Sequence, residues 1–163
     1  MHLSYGQKEN GDKNMELWNF SVKNNLIGLD LVNYVNDDWA KVRDSVIEAL
    51  KRDFLYVWIW QFDTFCKGMI PYSMDVGDIV LILDGFSLIL GIAQVMSDHN
   101  YRPELGGRFF DHIRVVNWEK KGGYDNPLEI SPVKGFVNTL SIVEKEGRYS
   151  KRWSQLVKVE LDR

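Results

Sequence analysis

Cysteine is almost missing from the chain: Cys66 is the only one in 163 residues. A lone thiol excludes an intramolecular disulfide and a thiolate cluster for zinc, and it suits a reducing compartment such as the cytoplasm. A basic excess is missing too. The formal net charge is −3, whereas general polyanion binders carry surplus Lys and Arg against phosphate. Any nucleic-acid contact must therefore use basic residues gathered on one face. No run of about 18 apolar residues marks a membrane span, no signal-peptide pattern opens the chain, and no repeat or low-complexity tract interrupts it. Residues 1–14 are polar and Gly-containing and read as a disordered leader. The remainder, 15–163, is expected to be a single domain, long enough for one hydrophobic core and too short for two ordinary ones.

Apolar and aromatic residues are abundant. Hydrophobic residues make up 45% and aromatics 13%, with six Trp. The first figure supports a folded core. The second exceeds what a small core needs, because Trp is rarely buried completely.

Residues 17–22 alternate bulky and small polar side chains, which predicts a half-buried strand, and Lys23-Asn24-Asn25 predicts a turn. Asn36 or Asp37 caps a helix whose apolar stripe is Trp39, Val42, Val46, Leu50 and Phe54. Its opposite face, with Lys41, Arg43, Asp44, Glu48 and Lys51, reads as solvated surface. Tyr56, Trp58, Trp60 and Phe62 recur at two-residue steps, so a strand would place four rings on one side; helical continuation fits the same residues. Residues 74–78 predict a turn and 79–83 a buried strand. Asp84-Gly85 predicts a hairpin with 88–96 returning. Residues 109–118 predict another strand, with His112, Arg114 and Val116 on one side. Beyond Pro127, 137–143 reads as a short strand or turn and 149–159 as a closing helix. Several strands, an early helix and a central hairpin predict an α+β fold built on a strongly bent sheet or small β-barrel with flanking helices.

Signatures of catalysis are wanting. A nucleophilic triad needs Ser or Cys on a sharp turn near a His, and no Gly-x-Ser-x-Gly occurs. The three His residues, His2, His99 and His112, show no paired metal-ligand spacing. Gly106-Gly107 stands alone without a phosphate loop. Asp75, Asp78 and Asp84 lie close in sequence, as a Mg²⁺ nuclease would want, but turns favour Asp in any case. The residues point to a binding domain that is not an enzyme and uses neither metal nor cofactor. Rings interleaved with polar and basic residues are what a flat heteroaromatic ligand requires: stacking holds its faces, and amides or hydroxyls read its edge.

Three segments together carry a family likeness. They are Gly77-Asp78-Ile79-Val80, then Gly91-Ile92-Ala93-Gln94-Val95-Met96-Ser97, then His112-Ile113-Arg114-Val115-Val116-Asn117-Trp118. In that order they resemble the PUA-like superfamily that includes the YTH and EVE domains. With Ile27-Gly28-Leu29-Asp30 and Trp60-Gln61-Phe62, the likeness is nearest to the N-terminal specificity domain of McrB-type, modification-dependent restriction GTPases, over roughly residues 16–118. It implies a barrel that accepts a flipped, methylated base, N6-methyladenine or methylcytosine, in an aromatic cage. It also implies DNA as partner, and an AAA+ GTPase subunit and an endonuclease subunit as associates. Leu29 stands where related sequences usually show Trp; if that Trp is a cage wall, the wall here is aliphatic or comes from another residue.

On this reading Trp18, Trp60, Phe62 and Tyr101 are candidate stacking groups beside Leu29. Asn19, Ser21, Asn24 and Asp98 are candidates for the polar edge of the base. Lys23, Arg102 and Arg108 are candidate phosphate contacts. Trp18 and Phe62 suit a core equally well, and Asp78 suits a turn cap. Competing readings are a reader of modified RNA, a small nuclease or esterase, and a protein-interaction domain.

Overall fold

The computed structural model describes residues 2–4, 11–29, 37, 39–52, 63–66, 73–84, 88–107, 109–129 and 140–141. In chain order these form β1 (His2–Ser4), α1 (Gly11–Asn24), β2 (Leu26–Leu29), α2 (Trp39–Arg52), β3 (Ile79–Asp84), β4 (Leu88–Val95) and β5 (Asn100–Tyr101). They continue with α3 (Pro103–Gly106), β6 (His112–Lys121), β7 (Leu128–Glu129) and β8 (Leu140–Ser141). The fold is mixed α+β; β1 pairs with β3 in parallel, while β1 with β8, β2 with β6, β3 with β4, β4 with β7 and β5 with β6 pair antiparallel.

Two expectations give way. Residues 17–22 are helical, not extended. Trp18 and Ser21 are buried and Leu17 and Val22 half-buried, at steps of three and four, while Glu16, Asn19 and Lys23 face solvent. A six-residue window satisfies both the two-residue and the 3.6-residue period, and packing of the Trp18 face decides for helix. Asn25, at φ 53°, then ends the helix in the left-handed conformation that Asn tolerates. The expected leader also differs: His2–Ser4 pairs with Leu81–Leu83 and with β8, and Gly11 opens α1. A three-residue strand joined through its backbone needs no hydrophobic pattern of its own.

The α2 helix and the central hairpin form where the pattern places them, whereas the strand expected over 109–118 spans His112–Lys121, and the aromatic run from Tyr56 to Phe62 lies outside the described residues. The helix α2 runs over the predicted stripe, with Val46 buried and Val42 half-buried. The hairpin pairs Ile79 with Gln94 and Asp84 with Leu88, with an irregularity between Ile82 and Leu83. Its run Val80–Leu83 is buried throughout, as expected of a strand covered on both faces. In β6 His112, Arg114, Val116 and Trp118 are buried; on the alternate face Ile113 is buried too, while Val115, Asn117 and Glu119 are exposed, so the alternation is regular from Arg114 onward. Residues 149–159 lie outside the described residues.

Two compact units organise the chain. The first comprises Met1–Asn19, Ile79–Gln94 and Asn117–Arg163. Its sheet runs β6-β4-β3-β1-β8, with β7 on β4. Trp18 closes it: the ring meets Trp118 edge-on at 5.1 Å, and a Cβ on Gly91 would come within 2.6 Å of its Cη2. The second unit comprises Phe20–Asp78 and Val95–Val116. There β6 is flanked by β2 and β5, with Leu29 and Tyr101 both opposite His112. Gly28 lets Phe110 and the His112 carbonyl close on β2, because a Cβ would meet them at 2.4 and 2.6 Å. Among the described residues no helix is long and apolar enough to cross a membrane.

Candidate functional site

The second unit gathers its polar side chains around β6. His112 and Arg114, two positions apart on the buried face of that strand, are both fully buried. Arg114 donates Nε to the Phe65 carbonyl at 2.7 Å, Nη1 to the Ser97 carbonyl at 3.0 Å and Nη2 to the Met74 carbonyl at 3.0 Å. Its guanidinium carbon lies 5.6 Å from the Phe65 ring centroid. Burial lowers the Arg114 pKa, and Cys66, Asp98, Asp75 and Asp78 oppose that shift. One buried cation thus ties three separate segments to β6.

The helical turn at 63–65 is fastened at each residue. Asp63 accepts Nε and Nη2 of Arg43 at 2.8 and 2.7 Å. The Thr64 carbonyl accepts the Met74 amide at 2.8 Å, and the Phe65 carbonyl accepts Arg114. Arg43, expected on a solvated helix face, is therefore an anchor; the hydrogen bond to the Asp63 carboxylate raises its pKa against the opposing effect of burial, with the charges of Asp63 and Asp44 adding to the rise. Cys66 follows this turn, half-buried.

The Ser97–Tyr101 segment runs beside β6, with Asn100 opposite Ile113 and Tyr101 opposite His112. Ser97 Oγ accepts the Val115 amide at 2.9 Å and donates to the Asp98 carbonyl at 2.9 Å. His99 Nε2 and His112 Nδ1 are 2.8 Å apart, one donating and the other accepting according to tautomer. Cys66 Sγ lies 3.8 Å from the same His112 nitrogen. The Tyr101 ring, half-buried, is tilted against His112 at 5.1 Å between centroids. Burial raises the Tyr101 pKa, with Asp111 adding to the effect, so the phenol stays a neutral hydroxyl at physiological pH.

Of the residues predicted from sequence, the structure brings Leu29, Asp98, Tyr101 and Arg102 into this unit close to β6 in register or sequence. Leu29 is 2% exposed and pairs opposite His112, so it is an interior strand residue with no surface for a ligand from solvent. Asp98 is exposed, and Arg102, also exposed, pairs with Glu104. Trp18 is corrected: at 6% exposure, under Gly91 and against Trp118, it is a core residue of the first unit and presents no ring face for stacking. Ser21 is fully buried, so it offers no edge to a ligand from solvent. Asn24 donates its Nδ2 to the Phe20 carbonyl at 2.9 Å, closing the end of α1. Asn19 and Lys23 are exposed on α1. Trp60, Phe62 and Arg108 lie outside the described residues. Asp78 accepts the Asp75 amide at 2.9 Å and caps the turn, as expected.

Sequence reasoning missed the grouping of Cys66, His99 and His112, because 46 residues separate Cys66 from His112 and 13 separate the two His. One signal was present: His112 and Arg114 alternate with Ile113, Val115 and Val116 at the start of β6, where buried polar groups demand partners. The first unit also holds an open depression, lined by residues 89–92, 120–122, 126 and 128. Among the described residues no aromatic ring lines it.

No curated protein and no solved structure matches this chain. Residues 3–141 match the family described as Domain of unknown function (DUF8426), which covers most of the sequence, and the chain belongs to that family.

Proposed function

We propose that this domain is a non-enzymatic reader of a modified base in DNA, N6-methyladenine or methylcytosine, taken up flipped out of the duplex. The observation that carries the reading is the composition of one short segment. Within 98–102, rings of His99 and Tyr101 are half-buried, Asp98 and Asn100 are exposed on either side of His99, and Arg102 is an exposed cation at the end. Partly open rings give a stacking face. A carboxylate accepts from the exocyclic amine of cytosine or adenine. An exposed guanidinium, held only by a surface partner, can exchange Glu104 for phosphate at little cost.

Tyr101 and His99 replace Trp18 as ring contacts in this account, with Trp60 and Phe62 assigned to the cage by the sequence likeness. Asp98 takes the polar edge, and Arg102 and Lys23 face the backbone of the nucleic acid. A PUA-like barrel and a place within an McrB-type restriction system belong to the same proposal. They rest on the order of the Gly77-Asp78, Gly91-to-Ser97 and His112-to-Trp118 motifs.

Equilibrium binding to matched duplexes, each with one modified base, tests it, with modified and unmodified RNA of the same sequence alongside. Preference for a modified duplex, lost in Asp98→Ala, supports the reading. Preference for RNA would reassign the partner, and equal affinity for every oligonucleotide would remove base recognition altogether.

A further inference from the structure

Cys66, His99 and His112 form the one group of three or more His, Cys, Asp or Glu side chains among the described residues whose ligand atoms converge. The Cys66 Sγ and one ring nitrogen from each His lie within 4.8 Å of one another. Each comes from a different segment: Cys66 from the end of the 63–65 turn, His99 from the approach to β5, and His112 from the first position of β6. Chance clusters of this kind usually sit on loose surface. Here the supporting backbone is tied down. Arg114 holds Phe65, next to Cys66, and Ser97, two residues before His99, to the strand that carries His112.

We infer that these three side chains bind a zinc-like divalent cation. A thiolate with two imidazoles suits zinc better than a hard, oxygen-seeking ion. With Zn–N bonds of about 2.0 Å and a Zn–S bond of about 2.3 Å, tetrahedral ligand atoms sit roughly 3.3–3.6 Å apart. The two His nitrogens, at 2.8 Å, open slightly to admit the ion, and Cys66, at 3.8 Å from His112, closes slightly. Side-chain rotation supplies both movements. Zinc takes the place of the proton shared between the imidazoles, and the Cys66 thiol releases its proton to solvent on binding. Cys66 and His99 are half-buried and His112 buried, so the ion enters from the solvent side and keeps a water there as fourth ligand.

The consequence is mechanical. A cation at this point clamps the 63–66 turn and the Ser97–Tyr101 segment to β6, with Tyr101 directly opposite the ligand His112. This site stands independently of what Tyr101 contacts, so its test does not use nucleic acid.

The test is cobalt and zinc titration of the full chain after chelator treatment. One equivalent of Co²⁺ should give thiolate-to-cobalt charge-transfer absorption and the strong visible bands of a tetrahedral ion, and one equivalent of Zn²⁺ should displace it. Cys66→Ser should lose the charge-transfer band, and His99→Gln should weaken zinc binding on the order of 100-fold. The remaining histidine serves as control, so His2→Gln should bind as the unaltered chain does. His99 is half-exposed, so that variant keeps its fold, verified by far-ultraviolet circular dichroism. Absence of the charge-transfer band, or equal affinity in the unaltered chain, Cys66→Ser and His99→Gln, would overturn the site.

Discussion

Arg114 and Phe65, 49 residues apart, are joined twice: the guanidinium donates Nε to the Phe65 carbonyl at 2.7 Å and packs 5.6 Å from the centroid of the same ring. Two further carbonyls, of Ser97 and Met74, complete its partners. The planar fork of arginine meets all three at once, which an ammonium on a flexible stem does less well.

Arg114→Met should therefore leave three carbonyls without their donor and cost about 3–5 kcal/mol, since each buried acceptor stripped of its partner costs about 1–3 kcal/mol. Arg114→Lys should recover only part of that loss. Urea unfolding of the three proteins measures it, and a loss under about 1 kcal/mol in Arg114→Met would contradict the structural role.

Arg43 and Asp63 make a second, separate prediction. The Asp63 side chain is 3% exposed and its Arg43 partner 22%, with two bonds between them. Asp63→Asn should cost about 2–3 kcal/mol. On the same helix, Lys41 pairs with Asp37 at 3.5 Å with both side chains well exposed, so Lys41→Ala should cost no more than about 0.5 kcal/mol. Denaturant midpoints for the two variants, measured together, check the contrast.

Trp18→Ala should destabilise the fold by about 3–5 kcal/mol, as expected for emptying a large core site. Gly91→Ala should cost about 1–3 kcal/mol, because the new Cβ must push against Trp18 and overpack the site. It would also lie 2.8 Å from the Lys120 carbonyl, which belongs to backbone and yields little. Neither substitution should alter any preference between modified and unmodified DNA, a result that separates core from contact. Thermal melts and binding titrations of the same preparations supply both halves.

Tyr124 gives the pH prediction. Burial, with the Asp84 carboxylate adding to it, holds this phenol well above the ordinary tyrosine range. The unfolded chain ionises the phenol near pH 10, about its ordinary value, while the folded chain keeps it protonated. The contribution is complete below that pH and is lost as pH rises toward the folded value. Tyr124→Phe should accordingly flatten the fall in stability between about pH 9 and about pH 11, as urea midpoints across that range would reveal.

Strong periodic signals made much of the fold legible. The stripe on α2, the Asp84-Gly85 hairpin and the alternation of β6 each involve many side chains with one geometric solution. The α1 segment misled because six residues fit two periods, and only Trp18 packing between Gly91, Gly123 and Trp118 selects the helix. For the site, Asp98, Tyr101 and Arg102 were visible as an aromatic and polar run. The Cys66, His99 and His112 group was not, because long-range contacts leave no spacing rule in the chain. Arg114 shows the same limit: a strand pattern reveals that it is buried, but its three carbonyl partners come from the tertiary fold.

The most direct measurement is a fluorescence titration of a duplex carrying one N6-methyladenine or one methylcytosine against its unmodified twin, using the unaltered chain and Tyr101→Ala. The account predicts tighter binding to one modified duplex and a loss on the order of 1–3 kcal/mol of that binding in Tyr101→Ala, with affinity for the unmodified duplex little changed. Identical curves for modified and unmodified DNA, or a preference that survives Tyr101→Ala intact, would contradict it.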